Sequence, residues 1–160
     1  MPVDGVEIGP ALLLGLDLGE RRIGVAVAEV ATGRIRPLAT LRRGDIDRDA
    51  RSIARIVSES GATELIVGLP LLGDGGEGTQ AAVTREWVEA LRERLDMPVG
   101  LRDERFTSQA AADRGPRPRR GSAGGPPSSR ARTAYRARID QAAAALILQA
   151  ELDSRAGSPS

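Results

Sequence analysis

The stretch LLLGLDLGERRIGVAVAE, residues 12–29, decides how this chain folds. Two apolar runs of strand length, Leu12 to Asp17 and Ile23 to Val30, flank the polar turn LGERR and predict a β-hairpin. Asp17 closes the first run, and the glycine two residues to either side of it would let backbone or a ligand approach closely. An acid in this position is either a cap of the turn or a functional group.

The rest of the chain alternates helical and extended patterns after a third strand. The predicted elements are a strand at 34–41, a helix at 47–60, a strand at 63–69, a helix starting near Ala81, a strand at 98–103 and a C-terminal helix ending near Asp153. This order predicts an α/β fold with a mixed five-stranded sheet, antiparallel first and then parallel. At 160 residues we expect one domain, 1–160.

Composition excludes several kinds of protein. No apolar run is long enough to cross a membrane and the N-terminus has no signal-peptide pattern, so we expect a cytoplasmic protein without a membrane partner. The absence of Cys and His excludes disulfides, thiolate sites and imidazole ligands or bases. Any metal must be held by oxygen, which favours Mg²⁺ or Mn²⁺, or Ca²⁺, over Zn²⁺.

A segment rich in arginine precedes the last helix. Between Arg114 and Thr133, eleven of twenty residues are Gly, Pro or Ser and six are Arg, which predicts a mobile internal loop at about 114–133. Eight arginines and no acid lie between Arg114 and Ile139. Such a segment either meets a phosphate backbone or is a solvated linker, and a GC-rich genome would also favour this composition.

Three acids are candidates for a metal site: Asp17, Glu104 and Asp140. Asp17 and Glu104 end predicted strands, and ligand sites of α/β sheets form beyond the carboxyl ends of strands. Small residues around Asp140 would let its helix approach the same edge. Taken singly, each acid could be a turn, strand-end or first-turn charge. Gathered together, they would repel unless cations stood between them, as two-metal phosphoryl chemistry requires.

Four segments, GLDLGERRIGVAVAE, LIVGLPLLGDGGEGTQAA, DERFTSQAA and IDQAAAALILQ, occur in the order and spacing of a known family. Over residues 11–152 the chain resembles the YqgF/RuvX family of pre-16S rRNA nucleases, formerly called Holliday junction resolvase-like proteins. The resemblance implies a ribonuclease H-like fold, a carboxylate site for Mg²⁺ or Mn²⁺, and RNA or branched DNA as substrate. Its metal-binding and catalytic acids correspond to Asp17, Glu104 and Asp140.

The neighbouring Asp103 is the alternative to Glu104. Because side chains alternate along a strand, both cannot face the same site. Asp103 shares its side with the apolar Val99 and Leu101 and could pair with an arginine instead, which favours Glu104.

The expected activity is two-metal hydrolysis of phosphodiester bonds in structured RNA, with 5′ maturation of precursor 16S rRNA as the specific reaction and a monomer or weak homodimer as the active form. The alternatives are a resolvase-type DNA nuclease and a non-catalytic nucleic-acid-binding module. A sugar-kinase-like ATPase, suggested by GLDLG, would need two similar domains. The candidate contacts to nucleic acid are Arg21, Arg22, Arg105, Arg117, Arg119, Arg120 and Arg130. The glycine-rich loop after Pro70 is either a phosphate cradle or a connector.

Overall fold

The hairpin of residues 12–29 lies in the middle of a five-stranded sheet. The structure, a computed structural model, describes residues 11–72, 76–104 and 128–157, without the side chain of Glu104. In chain order the elements are β1 Leu12–Leu18, β2 Arg22–Glu29, β3 Arg34–Arg42, α1 Ile46–Ser60, β4 Glu64–Pro70, α2 Thr79–Arg94, β5 Val99–Glu104 and α3 Ser129–Gly157. Each of the five predicted strands is confirmed to within one residue at either end.

The strand order is β3-β2-β1-β4-β5. Strands β1 to β3 form an antiparallel meander, whereas β4 and β5 run parallel to β1. The predicted mixed sheet is therefore confirmed. Because β1 is central and covered on both faces, its sequence is an almost unbroken apolar run rather than an alternating one.

Helices cover both faces of the sheet. Leu14 and Leu16 of β1 belong to the core on the side of α1 and α2, together with Ile53 and Leu91. Leu13 belongs to a second cluster on the other side, formed with Ala144, Ile147 and Leu148 of α3. Alternation along β1 therefore puts the odd-numbered positions, Asp17 among them, on the side of α3.

The turn between β1 and β2 is held by the end of β3. The Gly19 N–H donates to the Arg22 carbonyl at 2.8 Å and closes the turn. The Arg43 guanidinium donates to the Gly19 carbonyl, and the Arg43 N–H donates to the Arg21 carbonyl, both at 2.8 Å. These bonds fix the backbone that follows Asp17.

The predicted mobile segment at 114–133 is wrong at its C-terminal end, because α3 begins at Ser129 and includes Arg130. The Ser128 hydroxyl accepts a hydrogen bond from the Ala131 N–H at 3.1 Å, as an N-cap does. No Gly or Pro occurs between Ser128 and Ala156, so a helix over this range has the expected composition. The rest of the predicted segment, 114–127, lies outside the described residues, and α3 ends four residues beyond the predicted Asp153.

Within the described ranges, none of the helices is long and apolar enough to span a membrane.

Candidate carboxylate site

Asp17 lies near the carboxyl end of β1, on the side of the sheet that α3 covers. Its pKa is raised to about 6 from an ordinary value of 3.8. Burial is the larger cause, since it penalises the charged form, and the negative charge of Asp140 is the smaller one. A carboxyl group in such surroundings holds its charge poorly unless a cation lies beside it.

Asp140 comes to the same place from α3. Its side chain is only 18% exposed, and its Oδ2 accepts a hydrogen bond from Arg22 Nε at 2.6 Å. Arg22 is the first residue of β2, one strand away from Asp17. One guanidinium therefore orients Asp140 and offsets part of the charge of the two acids.

Two glycines let α3 lie directly on the hairpin. Gly24 of β2 pairs with Asp17 of β1, and a Cβ at Gly24 would lie 1.9 Å from the Asp140 carbonyl oxygen. At Gly15 a Cβ would lie 2.6 Å from Leu148 Cγ and 2.8 Å from the Ala144 carbonyl oxygen. A backbone carbonyl cannot move aside as a flexible side chain can. The absence of a side chain at Gly24 is therefore required for Asp140 to lie next to Asp17.

Thr40 of β3 holds α3 against the sheet through hydrogen bonds, in the same row as Asp17 and Gly24. It pairs with Gly24, so Thr40, Gly24 and Asp17 form one row across β3, β2 and β1. The Thr40 hydroxyl donates to the Ala137 carbonyl at 3.1 Å and accepts from Gln141 Nε2 at 3.1 Å. Both partners lie on α3 within three residues of Asp140, so Thr40 fixes how the helix presents that carboxylate.

The two acids at the end of β5, Asp103 and Glu104, differ in their position relative to this site. Asp103 pairs with Leu69. The pKa of Arg85 on α2 is raised mainly by its hydrogen bond to Glu77 and by the charge of Glu77, and only slightly by the charge of Asp103. Strand alternation puts Asp103 on the side of Val99 and Leu101, away from α3. Glu104 pairs with Pro70 at the end of β5. Its backbone is described and its side chain is not.

Two of the three predicted acids, Asp17 and Asp140, are thus brought together. Among the side chains that the structure describes, no group of three or more acids is arranged to hold a metal ion. Glu104 takes no part in that comparison, since its side chain is outside the description. The pair of acids is the observed part of the candidate site, and its third member stays a prediction.

A cavity of about 350 Å³ opens beside Asp140. Two of the predicted nucleic-acid contacts, Arg21 and Arg22, line it, and Arg136 of α3 joins them. Arg130 lies on the exposed start of α3. Arg105, Arg117, Arg119 and Arg120 lie outside the described residues. The complete lining is Gly19, Glu20, Arg21, Arg22, Arg136 and Asp140.

Sequence reasoning missed Gly24, Thr40 and Arg136. Gly24 carried a signal, because an isolated glycine inside a strand often marks a close backbone approach. Arg136 also carried one, since it lies four residues before Asp140 and so on the same face of a helix. Thr40 carried none: its role depends on where α3 crosses β3, which no local pattern specifies.

Comparison with solved structures agrees with this architecture. A T. thermophilus RuvC solved in complex with a Holliday junction substrate superposes with a TM-score of 0.53 at 14% identity, covering 92% of this chain and 96% of that chain. A second Thermus thermophilus RuvC structure gives a TM-score of 0.51 at 13% identity. The chain has the ribonuclease H-like fold of these resolvases, as the sequence predicted.

Curated relatives cover nearly the whole chain. A Chloroflexus aggregans protein named "Putative pre-16S rRNA nuclease" is 41% identical over 147 residues, which cover 89% of this chain and 94% of the relative. A Roseiflexus protein of the same name is 35% identical over 150 residues, 91% of this chain and 96% of the relative. The family model described as RuvX, Holliday junction resolvase, matches residues 11–154. This chain therefore belongs to the RuvX family, whose members are nucleases, that is, hydrolases of phosphodiester bonds.

Proposed function

We propose that this chain is a metal-dependent endonuclease that processes structured RNA, and that its substrate is the 5′ region of precursor 16S ribosomal RNA. The observation that carries the proposal is the meeting of Asp17 and Asp140 at the carboxyl end of β1, with Arg22 bonded to Asp140 at 2.6 Å. The names of the relatives support the RNA substrate. We assign the activity to a single domain, 1–160, working in the cytoplasm as a monomer or weak homodimer.

The two acids suit a hard divalent cation. Carboxylate oxygens are the ligands that Mg²⁺ and Mn²⁺ prefer, and this chain contains no Cys or His that would favour a softer metal. The raised pKa of Asp17 shows that its charge lacks full compensation from the protein. A cation between Asp17 and Asp140 would provide that compensation.

Glu104 is our candidate for a third carboxylate. Along β5, Gly100 faces Ile66, which belongs to the cluster packed on α3. Strand alternation assigns position 104 to the same side as Gly100. Asp103 has the opposite parity and shares its side of the sheet with Val99 and Leu101, which belong to the core packed against α1 and α2. These facts support Glu104 over Asp103 as the acid that completes the site.

The proposed reaction divides the work among residues of the chain. Asp17 and Asp140, with Glu104, would hold divalent cations, whose positive charge would stabilise the negative charge that develops on the phosphate oxygens. Arg22 keeps the Asp140 carboxylate in one orientation. Thr40 keeps the turn of α3 that carries Asp140 against the sheet. Such preorganisation matters, because small displacements of the reacting groups cost large factors in rate.

A DNA four-way junction is the second candidate substrate. The family description, Holliday junction resolvase, favours it. The fold likeness alone supports the architecture and not the substrate, since one fold serves many substrates. The relatives that cover the chain bear the RNA name, and we therefore rank RNA first.

The test compares both substrates under one set of conditions. The purified chain is incubated with precursor 16S rRNA and with a four-way DNA junction, each with Mg²⁺, with Mn²⁺ and with a chelator. We expect specific, metal-dependent cleavage near the 5′ end of the mature 16S sequence, and slower cleavage of the junction.

Three outcomes would contradict the proposal. Faster cleavage of the junction than of the RNA would show that the DNA junction, and not the RNA, is the preferred substrate. Cleavage that survives the chelator would reject the metal-dependent mechanism, and binding without cleavage of either substrate would favour a non-catalytic module.

A further inference from the structure

The cavity beside Asp140 carries more positive than negative charge. Three guanidinium groups, Arg21, Arg22 and Arg136, line it together with two carboxylates, Glu20 and Asp140. Asp140 is already bonded to Arg22. The arginines come from three places in the fold, Arg21 from the β1–β2 turn, Arg22 from the start of β2 and Arg136 from α3, and they converge beside Asp140.

Arg136 forms no ion pair with Asp140, the acid that follows it on the same face of α3. It lies four residues before Asp140, but an Arg that precedes an Asp at this spacing is in the less favourable order for a helical ion pair. Asp140 instead pairs with Arg22 across the cavity. Within the described part of the chain, neither Arg136 nor Arg21 forms an ion pair. Both guanidinium groups are exposed and can receive an anion.

Arg21 is presented from a rigid backbone. Its carbonyl accepts a hydrogen bond from the Arg43 N–H, and the neighbouring Gly19 carbonyl accepts one from the Arg43 guanidinium. The turn that carries Arg21 is thus anchored at two points to the end of β3. A fixed turn loses little entropy when its side chain binds a phosphate.

The basic surface continues along α3 away from the sheet. Arg132 lies four residues before Arg136, so Arg132, Arg136 and Asp140 follow one another on one face, about 6 Å apart along the helix axis. Arg132 is exposed, and its guanidinium donates a long hydrogen bond, 3.4 Å, to the Ser129 hydroxyl. No acidic residue occurs between Ser129 and Ile139.

From these positions we infer that Arg21, Arg136 and Arg132 form a binding track for the phosphates of one nucleic-acid strand. The track starts at the cavity next to Asp17 and Asp140 and follows the first turns of α3. The ligand is the sugar-phosphate backbone, which guanidinium groups bind through their planar set of N–H donors. This inference rests on the proposed function for the identity of the ligand and adds Arg136 and Arg132 to the contacts.

The experiment measures binding rather than cleavage. A fluorescein-labelled single-stranded RNA is titrated with the full chain in a chelator at several salt concentrations, and log K is plotted against log[salt]. The test variant is Arg132→Ser/Arg136→Ser. The matched control is Arg51→Ser, an exposed arginine of α1 on the opposite face of the sheet. A charge-preserving variant, Arg132→Lys/Arg136→Lys, accounts for effects of the substitution on folding.

Each phosphate contact in a single strand contributes about −0.7 to the slope, so the double Ser variant should flatten it by about 1.4. The Lys variant and Arg51→Ser should keep the slope of the unmodified chain. An unchanged slope and affinity in the double Ser variant would overturn the track, and so would an equal loss in Arg51→Ser. Since no cleavage is measured, these outcomes are independent of whether the nuclease proposal holds.

Discussion

At the scale of single residues, Asp17 is the group whose ionisation the fold opposes. Its pKa is about 6 in the folded chain, raised by burial and then by Asp140, against an ordinary value of 3.8. The folded state therefore binds the proton more tightly than the unfolded chain. The stability that this proton contributes is complete below about pH 4 and is lost as the pH rises through 6. Above that pH, the ionised Asp17 costs on the order of 3 kcal/mol until a cation binds.

We accordingly predict that Asp17→Asn stabilises the chain at neutral pH in a chelator. The free energy of unfolding, measured by urea denaturation, should rise by about 3 kcal/mol at pH 8 and hardly change at pH 4. Asp153→Asn, on the exposed end of α3, is the control and should change neither value. A lower stability of Asp17→Asn at pH 8 would show that its carboxylate is compensated within the protein.

At the scale of elements, the site depends on how α3 lies across the hairpin. The helix crosses β2 at Gly24 and β1 at Gly15, and Thr40 bonds to its backbone from β3. Its buried half packs on the sheet through Ala144 and Leu148. Any side chain at Gly24 would have to displace the turn that carries Asp140.

Gly24→Ala should therefore damage both stability and activity. The added methyl would meet the Asp140 backbone at 1.9 Å, so we expect a loss of about 1 to 3 kcal/mol in unfolding free energy. Cleavage should fall at least tenfold under conditions where the variant is folded, since Asp140 moves away from Asp17. Thermal unfolding and initial cleavage rates measure the two effects.

A second glycine on the same side of the sheet provides the matched control. At Gly100 of β5 a Cβ would meet Ile66 Cδ1 at 3.6 Å, an ordinary contact, so Gly100→Ala should keep both stability and cleavage. Equal effects of the two substitutions would mean that the close approach of α3 at Gly24 is not what assembles the site.

Most elements could be predicted from local patterns, and the start of α3 shows where this fails. The strands are predictable because the apolar runs, the turn residues and the glycines all indicate the same strand ends. Composition averaged over residues 114–133 predicts a loop, because the average runs across the boundary between the Gly- and Pro-rich segment and the helix. The N-cap at Ser128 and the lack of Gly and Pro after it contained the correct signal.

At the scale of the whole molecule, strand topology determines the position of some residues of the candidate site, and the packing of α3 on the sheet determines the position of the others. Asp17 at a strand end and Asp140 on a helix with small neighbours could be expected to meet, and they do. The row Thr40, Gly24, Asp17 and the convergence of Arg136 on the β1–β2 turn depend on the crossing of α3 over three strands. No periodicity encodes that crossing, so the roles of Thr40, Gly24 and Arg136 could not be assigned from the sequence alone.

The central proposal is that Asp17 and Asp140, which topology and packing bring together, act as one unit in phosphodiester hydrolysis. Its most direct test is the single-turnover cleavage rate of precursor 16S rRNA with Mg²⁺ for Asp17→Asn, Asp140→Asn, the double variant and Asp153→Asn. We predict that each single variant loses at least about 100-fold, that the double variant is little worse than either, and that Asp153→Asn is unaffected. Since Asp17→Asn should be more stable than the unmodified chain in a chelator, its loss could not be attributed to unfolding. Cleavage by Asp17→Asn within a few-fold of the unmodified rate would contradict the claim.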